Sequence, residues 1–165
     1  MRVDDVNWGG SILELRQQLR TDQPFATPLG ALPRAVANER DWRALGVIAG
    51  FDLTPVRERL VLKSGMSKGW LDEAIFEFRR YLGLRAIFTV PIWMLNSDVD
   101  EVWHTSLIFT RLYADLCEKA FGTFLHHDPG REGTEDRGAK WQQFEAAYRM
   151  LYGELGPLWE FSRQG

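Results

Sequence analysis

Between Leu71 and Leu82 the apolar side chains Leu71, Ala74, Ile75, Phe78, Tyr81 and Leu82 recur at steps of three and four. That spacing lines one face of an α-helix and cannot line one face of a strand. Nowhere do two alternating runs meet at a turn, so the periodicity sets the fold class: an all-α, compact single-domain bundle of five to six helices over residues 1–165. The same spacing predicts a helix at Ser11–Leu19 and another from Arg34 to Ala49, stopped by Gly50. Thr54-Pro55 reads as an N-cap with proline in the first turn, and Gly65 closes that short helix. Gly83 sits where a C-terminal cap of the Leu71–Leu82 helix belongs. Arg85–Leu95, split by Pro91, reads as extended or as a short buried helix. Ser97 opens the longest helix, which runs to about Ala120 before Gly122. A polar loop covers Asp128–Lys140, and Trp141, Phe144, Tyr148, Leu151 and Leu155 form the stripe of a last helix.

Composition narrows the function. Hydrophobic residues make up 45% and aromatics 13% of the chain, enough for a real core. A formal net charge of -3 gives no general footprint for nucleic acid or an anionic membrane surface. The single cysteine, Cys117, excludes an intrachain disulfide and a CxxC zinc knuckle, and on the apolar side of its helix it reads as a small hydrophobe. Acids near the N-terminus (Asp4, Asp5) and the absence of a long apolar run predict a cytoplasmic location and no membrane partner. No P-loop, Gly-x-Ser-x-Gly or Gly-x-Gly-x-x-Gly is present. Arg79, Arg80 and Arg85 read as a solvated helix end.

All three histidines, His104, His126 and His127, fall in one stretch. Asp98, Asp100 and Glu101 lie in the first turn after Ser97, where acids complement the helix dipole without any further chemistry. At 100° per residue Asp100, His104, Arg111, Asp115 and Glu118 lie within about 60° of one another, while Val99, Val102, Phe109, Tyr113, Leu116 and Cys117 share the other side. Trp103 falls at the edge of the apolar side. From His104 to Ala120 the helix rises about 24 Å. The chain back to His126 or His127 covers at most about 20–23 Å, so these histidines meet His104 only if the segment folds straight back. On that path His104, His126, His127 and Asp100 supply imidazoles and a carboxylate, a set that suits zinc or iron. Glu101-Val102-Trp103-His104 is an E-x-x-H, but a di-iron bundle needs a second copy and the chain has no further histidine.

The segments Asp98-Val99-Asp100-Glu101-Val102-Trp103-His104 and Phe121-Gly122-Thr123-Phe124-Leu125-His126-His127-Asp128-Pro129, with Thr110, Tyr113 and Cys117 between them, resemble the glycine-rich domain-containing-protein-like family of plants and bacteria. Phe78-Arg79-Arg80-Tyr81-Leu82 is a looser match, and the similar part spans about residues 70–130. The resemblance implies Asp100, Trp103, His104, His126 and His127 as site residues, with no settled activity. The 165 residues contain no glycine-rich tract, and Ser106 stands where some relatives carry a further histidine.

These readings point to a small helical module that binds a ligand or a protein partner through its His/Asp cluster. The alternative is a metal-dependent enzyme or enzyme subunit that uses the same residues as ligands. A third reading is structural, with the histidines locking a returning loop onto the helix start. Exposure of Trp93 or Trp159 would favour a protein partner.

Overall fold

The computed structural model describes residues 27–128 and 136–163. They form seven α-helices: α1 (Glu39–Gly50), α2 (Thr54–Lys63), α3 (Lys68–Ile87), α4 (Ser97–Ile108), α5 (Thr110–Phe121), α6 (Arg137–Tyr152) and α7 (Pro157–Arg163). Two short 3-10 turns, Pro28–Gly30 and Pro33–Ala35, precede them, and no strand occurs among the described residues. The fold is all-α as the periodicity requires, with one helix more than expected. The helix expected at Ser11–Leu19 lies outside the described residues. No described helix is long and apolar enough to cross a membrane.

Helix α3 is the axis of the structure and packs against α1, α2, α4, α6 and α7. Its stripe of Leu71, Ala74, Phe78, Tyr81 and Leu82 is almost wholly buried. Ser67 caps it by accepting from the Trp70 N–H. Gly83 does not end this helix, contrary to the sequence expectation; α3 continues one turn further, to Ile87. The glycine is there for tertiary reasons. A Cβ at position 83 would sit 2.9 Å from Leu45 Cδ2 and would overlap the hydroxyl of Tyr152, which donates to the Arg80 carbonyl at 2.9 Å.

Three helix starts fall beside the residues expected. Asn38 caps α1, accepting from Asp41 N–H at 2.9 Å. Thr54 is the first residue of α2 and not its cap; its N–H is taken by Asp52 at 2.9 Å. Asn96, not Ser97, caps α4. In each case an Asx side chain supplies the acceptor that unsatisfied N–H groups need.

The largest departure is at Phe109. The helix expected from Ser97 to about Ala120 is broken there, with φ -84° and ψ 66°. The Ser106 hydroxyl donates back to the Val102 carbonyl at 2.8 Å, and the Phe109 N–H closes a tight turn on the Ser106 carbonyl at 3.1 Å. Back-bonding of this kind bends helices. The bulky Ile108-Phe109-Thr110 run then favours restarting over continuing. The single polar stripe from Asp100 to Glu118 is therefore split between two helices.

Arg79, Arg80 and Arg85 turn inward, not to solvent. Arg79 donates to the Ile48 carbonyl at the end of α1 at 2.6 Å, and burial lowers its guanidinium to about 10. Arg80 lies over the rings of Phe76 and Tyr152 at 4.6 and 4.7 Å and donates to the Leu29 carbonyl at 2.9 Å. Arg85 donates to the Tyr81 hydroxyl at 3.0 Å. Trp159 is fully buried, and Trp93 is half-buried under Lys140.

Gly83→Ala tests the packing. Helix propensity alone would favour alanine by about 1 kcal/mol, whereas forcing a methyl into the Tyr152–Leu45 contact costs about 1–3 kcal/mol. Net destabilisation in urea is expected, with the variant regaining stability when Tyr152→Phe removes the hydroxyl.

Candidate functional site

The site begins with the cap of α4. Asn96 is buried, and its side-chain oxygen accepts from the N–H groups of Asp98 and Val99, both at 2.9 Å. Its amide donates to the Leu158 carbonyl at 3.1 Å and to the Ser162 hydroxyl at 2.7 Å. One side chain thus fixes the first turn of α4 and ties it to α7. Asp98 accepts from Trp70 Nε1 at 2.8 Å. Asp98 therefore has a specific partner beyond the general pull of a helix N-terminus.

Asp100 and His104, four apart, share the next face of α4. His104 Nε2 lies 3.6 Å from Asp100 Oδ2. The third member arrives from the loop after α5. Gly122 ends α5 in the left-handed region at φ 70°, and the chain folds back along the helix it has left. Two bonds hold it there: the Tyr113 hydroxyl donates to the Leu125 carbonyl at 2.6 Å, and the Leu125 N–H meets Cys117 Sγ at 3.5 Å. His127 then reaches Asp100, with Nε2 at 2.7 Å from Oδ1.

Aromatic stacking completes the arrangement. The His127 ring lies between Trp103, at 4.1 Å and 27°, and His104, at 4.6 Å and 17°. Trp103 is buried, donates through Nε1 to the Tyr113 hydroxyl at 2.9 Å, and packs on Tyr81 and Phe78. The Tyr113 hydroxyl therefore accepts a hydrogen bond from Trp103 and donates one to the loop. The stack runs from the core outward: the His127 side chain is 9% exposed and that of His104 51%.

Asp100, His104 and His127 each offer one ligand atom, and these atoms all lie within 4.8 Å of one another. His126 is not brought into this group; it is exposed, with its ring 4.9 Å from that of Phe124. Trp103 joins as a wall. The sequence reading did not single out Asn96 as the cap or Tyr113 as the relay. An Asn directly before the Ser97 helix was a readable N-cap signal; nothing local marks the role of Tyr113.

The donor set, two imidazoles and one carboxylate, is one that zinc or ferrous iron accepts. An imidazole lone pair lies in its ring plane, so two rings only 17° from parallel do not aim at one point as they stand. Holding an ion requires His104, the exposed member, to swing out of the stack. The proton between His127 and Asp100 must also leave.

Burial raises the Cys117 thiol, and it raises Tyr113 well above the ordinary tyrosine range despite the Trp103 N–H. Tyr81 is raised as well, also by burial. A tyrosine held neutral in the fold adds stability that is fully present below its unfolded value of about 10 and is lost as pH rises beyond it. Urea midpoints should therefore fall above about pH 10 in the parent protein. Tyr113→Phe should flatten that fall while lowering stability at neutral pH by about 1–3 kcal/mol, because it orphans the Leu125 carbonyl.

A family model described as UCP032817-like matches residues 54–150, more than half of the chain, from the first residue of α2 into the last turn of α6. The match contains Asp100, His104 and His127, and it leaves out α7. It overturns the expected membership of the glycine-rich domain-containing-protein-like family, which nothing in the comparison supports. No curated protein and no solved structure matches the chain.

Proposed function

Since the chain belongs to the UCP032817-like family, whose description carries no activity, we propose from its geometry that it is a helical binding module in which Asp100, His104 and His127 hold a divalent transition-metal ion, zinc or ferrous iron. The observation that carries this reading is the proximity of three ligand atoms, from α4 and from the returning loop, all within 4.8 Å of one another. The supporting shell is rigid where a metal site needs it to be. Trp103 backs the His127 ring, and the Asn96 cap fixes the turn that bears Asp100. Three protein donors leave a position open, as catalytic zinc sites do, so the enzyme reading depends on the metal one.

A second reading has its own observation. The low exposure of His127 and its 2.7 Å bond to Asp100 favour a clasp that holds the loop against α4 with no ion at all. The two readings differ over His104, which a metal site needs as a ligand and which in a clasp is only the exposed outer ring of the stack.

Elemental analysis of the purified protein beside His104→Ala, with thermal unfolding in the presence of zinc, separates them. For a metal site, zinc at about 100 times Kd should stabilise the parent by about 2.7 kcal/mol and leave His104→Ala unmoved. Without metal, His104→Ala should lie within about 0.5 kcal/mol of the parent, as exposed substitutions do. His127→Ala should lose about 1–3 kcal/mol with or without metal, because Asp100 is left without its donor. If neither zinc nor ferrous iron stabilises the parent at millimolar concentration, the metal reading fails and the clasp stands.

A further inference from the structure

A cleft of about 240 Å³, lined in part by Thr123 and Leu125, opens between the start of α1, the end of α3 and the end of α5. That is below the range of about 300–1,000 Å³ of drug-sized pockets, so an occupant has to be small. Its charged wall is uneven. Arg40 and Arg85 both line it, and neither forms an ion pair with a described residue. Arg85 uses Nη1 on the Tyr81 hydroxyl and the Ile92 carbonyl, at 3.0 and 3.5 Å, while its Nε and Nη2 make no hydrogen bond to a described residue. Asp41 is the one acid among the lining residues, and it is engaged locally: its Oδ2 accepts from the Asn38 amide at 3.0 Å in the cap of α1. Two arginines and one aspartate line the cleft, a local excess of positive charge on a chain whose net charge is -3. The rest of the wall is mostly apolar, formed by Ala44, Ala86, Ala120, Phe121 and Leu125.

A guanidinium holds a carboxylate through paired N–H groups, and the apolar part of this wall gains from contact with an apolar body. A bare inorganic anion would leave the alanine, phenylalanine and leucine surfaces in contact with water. We propose that this cleft binds a small organic acid, its carboxylate held by Arg40 and Arg85 and its apolar body against Ala44, Ala120, Phe121 and Leu125. The site shares no residue with the Asp100–His104–His127 cluster and does not depend on a metal there.

The test titrates the full chain with sodium benzoate, phenylacetate and hexanoate, with benzamide as a neutral analogue and with inorganic phosphate, read by amide NMR shifts and calorimetry. At least one acid should bind and move the amide signals of Ala86, Thr123 and Leu125. Benzamide should bind at least about tenfold more weakly than that acid, since it lacks the charge on which the paired hydrogen bonds depend. Arg40→Glu, at an exposed position of α1, should weaken the acid by about tenfold or more and leave the melting temperature unchanged. The proposal is overturned if no acid shifts these amides or if benzamide matches the acid. It is equally overturned if phosphate binds as tightly as the best acid or if Arg40→Glu binds like the parent.

Discussion

A carboxyl group sits at the centre of this bundle, and the surrounding helices are arranged to satisfy it. Glu77 is wholly buried on α3. It accepts from the Tyr148 hydroxyl of α6 at 2.9 Å and from Trp159 Nε1 of α7 at 2.7 Å, with Arg80 Nη1 at 3.7 Å. Burying such a group without partners costs several kcal/mol, so the partners are a condition of the fold and not an ornament to it. The consequences spread outward. Arg80, drawn in beside Glu77, also donates to the Tyr148 hydroxyl at 2.7 Å and to the Leu29 carbonyl, which holds the first 3-10 turn against the core. Tyr152, stacked on Arg80, occupies the space that only a glycine at position 83 leaves open. Satisfying one polar group thus fixes the positions of α6 and α7 and the path of the chain before α1.

Periodicity made the helices legible, because burial of an apolar stripe at 3.6-residue spacing decides whether a helix forms. Their ends were legible only where local chemistry sets them. Gly122 marked a true end, since its left-handed conformation is a local need. Gly83 did not, since its reason lies across the interface in Tyr152, and no pattern on α3 contains that information. The break at Phe109 was hidden for a related reason. It uses neither proline nor glycine but a serine hydroxyl that bonds to its own backbone, and the hydrophobic pattern carries no mark of that bond. The arginines misled in the same way: Arg79, Arg80 and Arg85 look like a solvated end until their acceptors, carbonyls and rings on other elements, are in place.

The candidate site divides along the same line. Asp100 and His104 could be paired from their spacing alone, and chain length showed that a returning loop could reach them. Which of two adjacent histidines would arrive was not readable. The choice is made by Tyr113 and Cys117, which grip Leu125 and so give the chain beyond it its direction. His127 then lies on Trp103, and His126 turns toward Phe124. The expected family was a misreading of motif for membership. The short Asp-x-x-Trp-His and His-His segments describe the helix start and its clasp, whereas membership rests on the match over residues 54–150.

The double use of Asn96 gives the family match a mechanical meaning. The matched segment ends inside α6, yet the residue that starts the site helix has both its amide hydrogens on α7, and so does one of the donors on Glu77. In this chain the matched stretch therefore relies on contacts from a helix outside it. Cut at the edge of the match, it would carry Asp100, His104 and His127 but lose what holds the turn beneath Asp100 in place.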